Sequence, residues 1–287
     1  MMGPLVPRGH GHRDDVDRTR HVSQDLVVRG DDLLKLLLLG LVVAAAALSV
    51  WGALDRRSRA AALIRQRFSG WPGRLLVILV ALAVLVVVAE DVLQREQDEL
   101  VLRLDRLARQ TARQVRALPA VRATATAVSR LTGEGLVVLV LVAGTGLVIA
   151  RRRADAAIVV GGTLGAWLLA TALKMFFAVP RPGRPRTFYA ITGYGFPSAH
   201  ALVTLVACGL VAWALARHAT RGARVALYAA AALVAALSGT ARVLLAVHWA
   251  SDVIAGLAVG LVWLNLVILM ASRRAGAGPA NEGGRAP

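Results

Sequence analysis

Apolar residues in this chain are gathered into runs, with the polar positions pushed into the gaps between them. After a polar stretch over residues 1–31, the runs cover about Leu33–Leu54, Leu75–Val92, Leu136–Ala150, Ala156–Val179, Ala201–Ala216, Val225–Ala241 and Val253–Ala271. Each is roughly 15 to 24 residues long, close to what a helix needs to cross hydrocarbon at 1.5 Å per residue. The pattern predicts six to seven transmembrane helices, because the shortest runs are marginal and the second ends in Glu90 and Asp91. Residues 1–31 lack the continuous apolar stretch of a signal peptide and read as a flexible polar tail.

Between Gln94 and Arg130 the pattern changes. Leu100, Leu104, Leu107, Val115 and Leu118 recur at helical spacing, while Arg103, Arg106, Arg109, Arg113 and Arg116 occupy another face. This predicts one amphipathic helix beside the membrane spans. Two readings are open: an interfacial helix that guides anionic lipid, or a plain connector held against headgroups. The chain then divides into a tail (1–31), N-terminal spans with the amphipathic helix (32–130), a candidate catalytic core (131–272) and a second tail (273–287). No internal repeat of the transporter kind is evident.

Composition agrees with this division. Of 287 residues, 57% are hydrophobic and 18% are charged, against about a quarter charged in an ordinary soluble domain. A water-soluble globule and a disordered chain are both excluded, and the fold class expected is an all-α, polytopic membrane helical bundle. The one cysteine, Cys208, lies inside an apolar run and excludes a disulfide scaffold. The formal charge of +17 does not imply nucleic acid, since the basic residues form short clusters between apolar runs rather than one face. Topology accounts for them. Arg151–Arg153, the group Arg217, Arg221 and Arg224, Arg273–Arg274, and the group Arg56, Arg57, Arg59, Arg65 and Arg67 all fall on one side by simple alternation. The positive-inside rule makes that side cytoplasmic.

The opposite side carries the candidate chemistry. The fourth run ends in Lys174, and Arg181, Pro182, Arg184 and Arg186 follow, with no acidic residue from Val179 to His200. Either an anion is bound there, or Lys174 snorkels and the arginines meet headgroups. The next run opens Phe196-Pro197-Ser198-Ala199-His200. Proline suits a first helical turn, and the free N–H groups of a helix start cradle phosphate. Ser198 as a simple cap and His200 as a structural histidine are the plain alternatives. The sixth run ends at Arg242, and His248 and Asp252 follow it four residues apart. A carboxylate on one imidazole nitrogen fixes the tautomer and leaves the other free as base or nucleophile; Asp252 as an N-cap is the alternative.

By alternation all of these helix ends meet on one face, which gathers Lys174, Arg181, His200, Arg242, His248 and Asp252. A metal site built from His200, His248 and Asp252 would face three cations that repel a divalent ion, so phosphate fits the charges better. No cofactor and no metal are expected.

Here the sequence resembles the type 2 phosphatidic acid phosphatase (PAP2) superfamily, whose fold is shared with vanadium haloperoxidases. Its signatures are a lysine followed by Arg-Pro (here Lys174, Arg181 and Pro182), a Pro-Ser-Gly-His element (Pro197, Ser198 and His200) and Ser-Arg with a following His and Asp (Arg242, His248 and Asp252). The resemblance covers roughly residues 131–272. Ala199 stands where glycine is usual and Ala241 where serine is usual. The resemblance implies an integral-membrane, metal-independent hydrolase of a lipid phosphate or diphosphate. His248 would be the nucleophile forming a phosphohistidine, Asp252 its orienting carboxylate, and His200 the acid for the leaving oxygen. Lys174, Arg181, Arg242 and the Ser198–Ala199 backbone would hold phosphate. Undecaprenyl diphosphate and phosphatidate are both compatible substrates. A non-catalytic lipid-phosphate binder and a transporter are the alternatives from another class. The expected location is the plasma membrane with an extracytoplasmic site, the bilayer and a lipid phosphate as partners, and no nucleic acid. Phe188, Tyr189, Tyr194 and Phe196 form either an entrance or an interfacial belt.

Overall fold

The computed structural model describes residues 71–94, 100–181 and 193–276. The first predicted span (Leu33–Leu54), the N-terminal tail, Pro182, Arg184, Arg186, Phe188 and Tyr189 lie outside the described residues. Within them the elements are helices: α1 (Trp71–Gln94), α2 (Leu100–Val115), α3 (Pro119–Leu131), α4 (Glu134–Ile149), α5 (Arg153–Phe177), α6 (Ala199–Ala216), α7 (Arg221–Leu244) and α8 (Ala250–Gly276). Among the described residues, six stretches are long and apolar enough to cross a membrane: α1, α3 with α4, α5, α6, α7 and α8. They correspond to the second through seventh predicted runs, so the protein is an all-α, multi-pass membrane bundle.

Helix α6 is the centre of the bundle, packed by α5, α7 and α8. Its Leu202, Val206 and Leu210 are fully enclosed. The outer helices turn large apolar side chains outward, as Val137, Leu141 and Val142 do on α4. Lipid takes the place of protein around such residues, so their exposure carries no penalty. At the end of the bundle with the arginine-rich turns, Asp155 is held by Arg152 at 2.6 Å and Arg217 at 2.6 Å. That pairing ties the start of α5 to the end of α6.

The amphipathic segment departs from its prediction. It forms two helices instead of one, because the chain turns at 116–118 and restarts at Pro119, a residue suited to a first turn since it lacks the N–H that would go unused there. The predicted apolar stripe also faces away from the bundle: Leu104, Leu107 and Leu118 are exposed, whereas Val101, Asp105 and Ala112 are buried. Beside a membrane the leucines can be satisfied by lipid, and the protein-facing side is left to Val101, Asp105 and Ala112.

Candidate active site

Four helix ends converge at the other end of the bundle. The last turn of α5 brings Lys174, and the chain leaves the helix through Ala178, a left-handed residue (φ 49°). Lys174 Nζ donates to the carbonyls of Tyr194 (2.9 Å) and Gly195 (3.0 Å). Three residues past Ala178, Arg181 folds back over the site. Its Nη1 donates to the Val247 carbonyl at 2.9 Å and meets His248 Nε2 at 3.1 Å, and its Nε reaches the Gly193 carbonyl at 3.2 Å.

Helix α7 ends at Leu244, and Ala246 again adopts a left-handed conformation (φ 56°), which turns the chain so that His248 points inward. His248 Nδ1 lies 2.9 Å from Asp252 Oδ2, and the same oxygen accepts from the Trp249 N–H at 3.0 Å. Both side chains are almost fully buried. The predicted four-residue pairing is therefore present, across a turn that leads into the first turn of α8. Burial depresses the His248 pKa well below its usual value, and Arg181, Lys174 and Arg242 depress it further. The ring is neutral at pH 7, with its proton on the nitrogen facing Asp252 and the Nε2 lone pair turned toward Arg181.

Ser198 precedes α6 and His200 is in its first turn. Pro197 lies one residue before the cap, outside the helix, which corrects the expectation of a first-turn proline. Ser198 does not cap the helix through its side chain: Oγ is buried without a hydrogen-bond partner. Its N–H donates instead to the Asp252 carbonyl at 2.8 Å. Gly256 permits this approach of α8 to α6, since a Cβ there would lie 2.5 Å from the Ser198 carbonyl oxygen. An enclosed hydroxyl with no partner is costly unless a ligand or water satisfies it. Arg242 is buried and donates to Ser129 Oγ at 2.8 Å.

Residues 155–275 match the family model of the PAP2 superfamily. The fold is also similar to the crystal structure of the first transmembrane PAP2-type phosphatidylglycerolphosphate phosphatase from Bacillus subtilis, with a TM-score of 0.60 and 23% identity over 70% of this chain and 96% of that one. No curated protein matches the sequence.

Every candidate residue on the described part of the chain thus lies at the same end of the bundle. Sequence reasoning missed the groups that hold them. Ser129, on α3, supplies Arg242 with a hydroxyl from another helix, while Ala241 beside it carries none. Gly195 is pressed against the pair: a Cβ there would lie 3.1 Å from Asp252 Oδ2. At the break between α3 and α4, a Cβ on Gly133 would lie 3.2 Å from His200 Nε2 and 3.1 Å from the Ser129 carbonyl oxygen. No spacing signal pointed to Ser129, Gly133 or Gly195, because Arg242, His200 and Asp252, the site residues they adjoin, are each more than 50 residues away along the chain.

Proposed function

We propose that the protein is a membrane phosphatase that hydrolyses a lipid phosphate or diphosphate through a phosphohistidine on His248. The observation that carries this reading is the Asp252–His248–Arg181 chain, in which a buried neutral imidazole presents Nε2 to a cation at 3.1 Å. Arg181 Nη1, 3.1 Å from Nε2, covers the nucleophile's lone pair. An incoming phosphate draws the guanidinium onto its own oxygens, and the lone pair is released at the moment the electrophile arrives.

His248 Nε2 then attacks phosphorus as the bond to the leaving oxygen breaks, and His200, protonated once the phosphate's negative charge and proton are beside it, donates to that oxygen. Asp252 stabilises the phosphoryl-imidazolium. Water next attacks phosphorus, His200 takes its proton, the P–N bond breaks, and phosphate leaves with both histidines in their starting forms. Lys174, Arg181, Arg242 and the Ser198–Ala199 backbone stabilise the equatorial oxygens, which is the main source of acceleration in phosphoryl transfer. No step needs a metal.

The lipid character of the substrate is supported by an apolar cleft of about 480 Å³ that begins at His200 and runs between α4 and α5, lined by Leu136, Val140, Leu164 and Trp167 among others. An acyl or prenyl chain fits such a lining while its phosphate reaches the cations. The site lies at the bundle end opposite Arg152 and Arg217, which favours an extracytoplasmic site in the plasma membrane by the positive-inside rule. Polyprenyl diphosphate recycling and phosphatidate hydrolysis both suit that location. Phosphate release from phosphatidate, phosphatidylglycerophosphate and polyprenyl diphosphate, measured in detergent with EDTA present, tests the reading. Turnover that is abolished by His248→Ala is the expected result. Binding of these lipids by the unmutated protein without release of phosphate would favour a binder or transporter.

A further inference from the structure

We propose that Asp105, on α2, is a positioning residue for the His248–Asp252 pair, so that the helix beside the membrane spans is part of the active-site framework. The inference rests on the hydrolase reading above. Asp105 is 4% exposed, on a helix otherwise rich in arginine. Both of its oxygens are used by one residue: Oδ1 accepts from the Ser251 N–H at 2.8 Å and Oδ2 from the Ser251 hydroxyl at 2.6 Å. Ser251 is 1% exposed, adjoins Asp252 and lies in the first turn of α8.

The contact forms part of a stripe. One turn along α2 from Asp105, the Arg109 guanidinium lies over the Trp249 ring, 4.6 Å from its centroid. Ala112 is buried on the same face, and one further turn on Arg116 donates to the Leu244 carbonyl at 3.4 Å. Residues 105, 109, 112 and 116 recur at helical spacing, and their partners run from Leu244 to Ser251. That is the whole turn joining α7 to α8, with His248 inside it. Only a gap of about 10 Å³ remains among Asp105, Arg109, His248 and Trp249, so the turn has little room to shift.

A carboxylate at the start of α8 also faces unpaired helix N–H groups and the positive end of the helix dipole, where negative charge is favoured. It sets the position of the backbone from which Asp252 reaches both Trp249 N–H and His248 Nδ1. A displacement of about 1 Å at a reacting group can cost roughly 100-fold in rate, so an effect of that order is reachable through a residue that never touches substrate.

The test uses the full chain in detergent, with Asp105→Ala, Asp105→Asn, Ser251→Ala and the Asp105→Ala/Ser251→Ala double variant. Asp105→Ala is expected to lower kcat by about 10- to 100-fold with KM changed less than about twofold, the signature of lost positioning. Asp105→Asn keeps an acceptor for the Ser251 N–H and is expected to recover part of the loss. The double variant should be no slower than Asp105→Ala, because the two side chains act through one contact. A kcat for Asp105→Asn and Asp105→Ala equal to that of the unmutated protein would overturn the proposal, as would losses that simply multiply. Nitrogen NMR of the His248 ring supplies a readout independent of turnover and available for Asp105→Asn even if the alanine variant does not fold. One tautomer with the proton on Nδ1 is expected in the unmutated protein and a mixture in the variant; identical ring signals would overturn the positioning role. If the unmutated protein releases phosphate from none of the three lipids, the hydrolase reading fails, and the ring signals alone then decide whether Asp105 orders the pair.

Discussion

Replacing Asp252 by asparagine separates the charge of this side chain from its shape. In the native site Oδ2 accepts from both His248 Nδ1 and Trp249 N–H. An asparagine oxygen in the same place can accept both bonds, so the resting imidazole keeps its orientation. What disappears is the negative charge facing the imidazolium that forms as Nε2 bonds to phosphorus. Two unit charges about 4 Å apart interact by roughly 4 kcal/mol at an effective dielectric of about 20. The neutral hydrogen bond that remains retains about 1 kcal/mol of this, leaving a loss of about 3 kcal/mol in the transition state. That corresponds to a kcat lower by about 100- to 1,000-fold, with KM little changed because ground-state phosphate is held by the cations. The amide nitrogen must then sit where Oδ1 is buried without a partner, at a cost of about 1–3 kcal/mol in stability. Steady-state phosphate release and thermal unfolding, measured on the same preparation, separate the two effects. A variant with kcat within threefold of the unmutated protein would show that Asp252 charge does not assist the reaction, and the phosphohistidine mechanism would have to be abandoned.

Three further outcomes are expected. Ser129→Ala removes the acceptor for Arg242 and should lower kcat/KM by about 10-fold, the worth of one charge-assisted hydrogen bond; an unchanged value would mean that Arg242 is held in place without it. Gly195→Ala puts a methyl 3.1 Å from Asp252 Oδ2, an oxygen held by both His248 Nδ1 and Trp249 N–H, and activity should drop by at least about 10-fold, since the carboxylate can give way only by loosening that pairing; full activity would show that the added methyl does not disturb the pair. Finally, burial and the neighbouring cations keep His248 neutral well below its ordinary pKa of 6.5, and only the neutral ring attacks. Protonation of this ring should therefore impose no acid limb on kcat/KM near pH 6.5. An acid limb in kcat/KM centred at 6.5 or above would contradict this.

Much of the architecture could be read without coordinates, because crossing a bilayer is a demand on each segment separately. Run length and apolarity suffice to find α1, α4 and α5 through α8, whereas α3, which joins α4 in one stretch over Pro119–Ile149, falls in the segment read as amphipathic. The same reasoning failed between Gln94 and Arg130, where periodicity identified a helical, two-faced segment but not the turn at 116–118 or which face meets protein. Leucine on a helix beside a membrane has two favourable surroundings, bundle and lipid, and hydrophobicity does not distinguish them. The reading of Ser198 as a cap was open for a similar reason: a serine before a helix looks the same whether its hydroxyl bonds the first turn or is left for a ligand.

Along the chain alone, the protein is specified as a multi-pass helical bundle with cations, two histidines and an aspartate at helix ends that alternation brings to one face. Which residues lie against them was settled by assembly: Ser129 against Arg242, Asp105 against Ser251, Gly195 against Asp252. These contacts depend on how far each helix is rotated and how closely its neighbour approaches. In a bilayer those variables are governed by side-chain fit and hydrogen bonding between helices, not by apolarity, and so they leave no periodic trace in the order of residues.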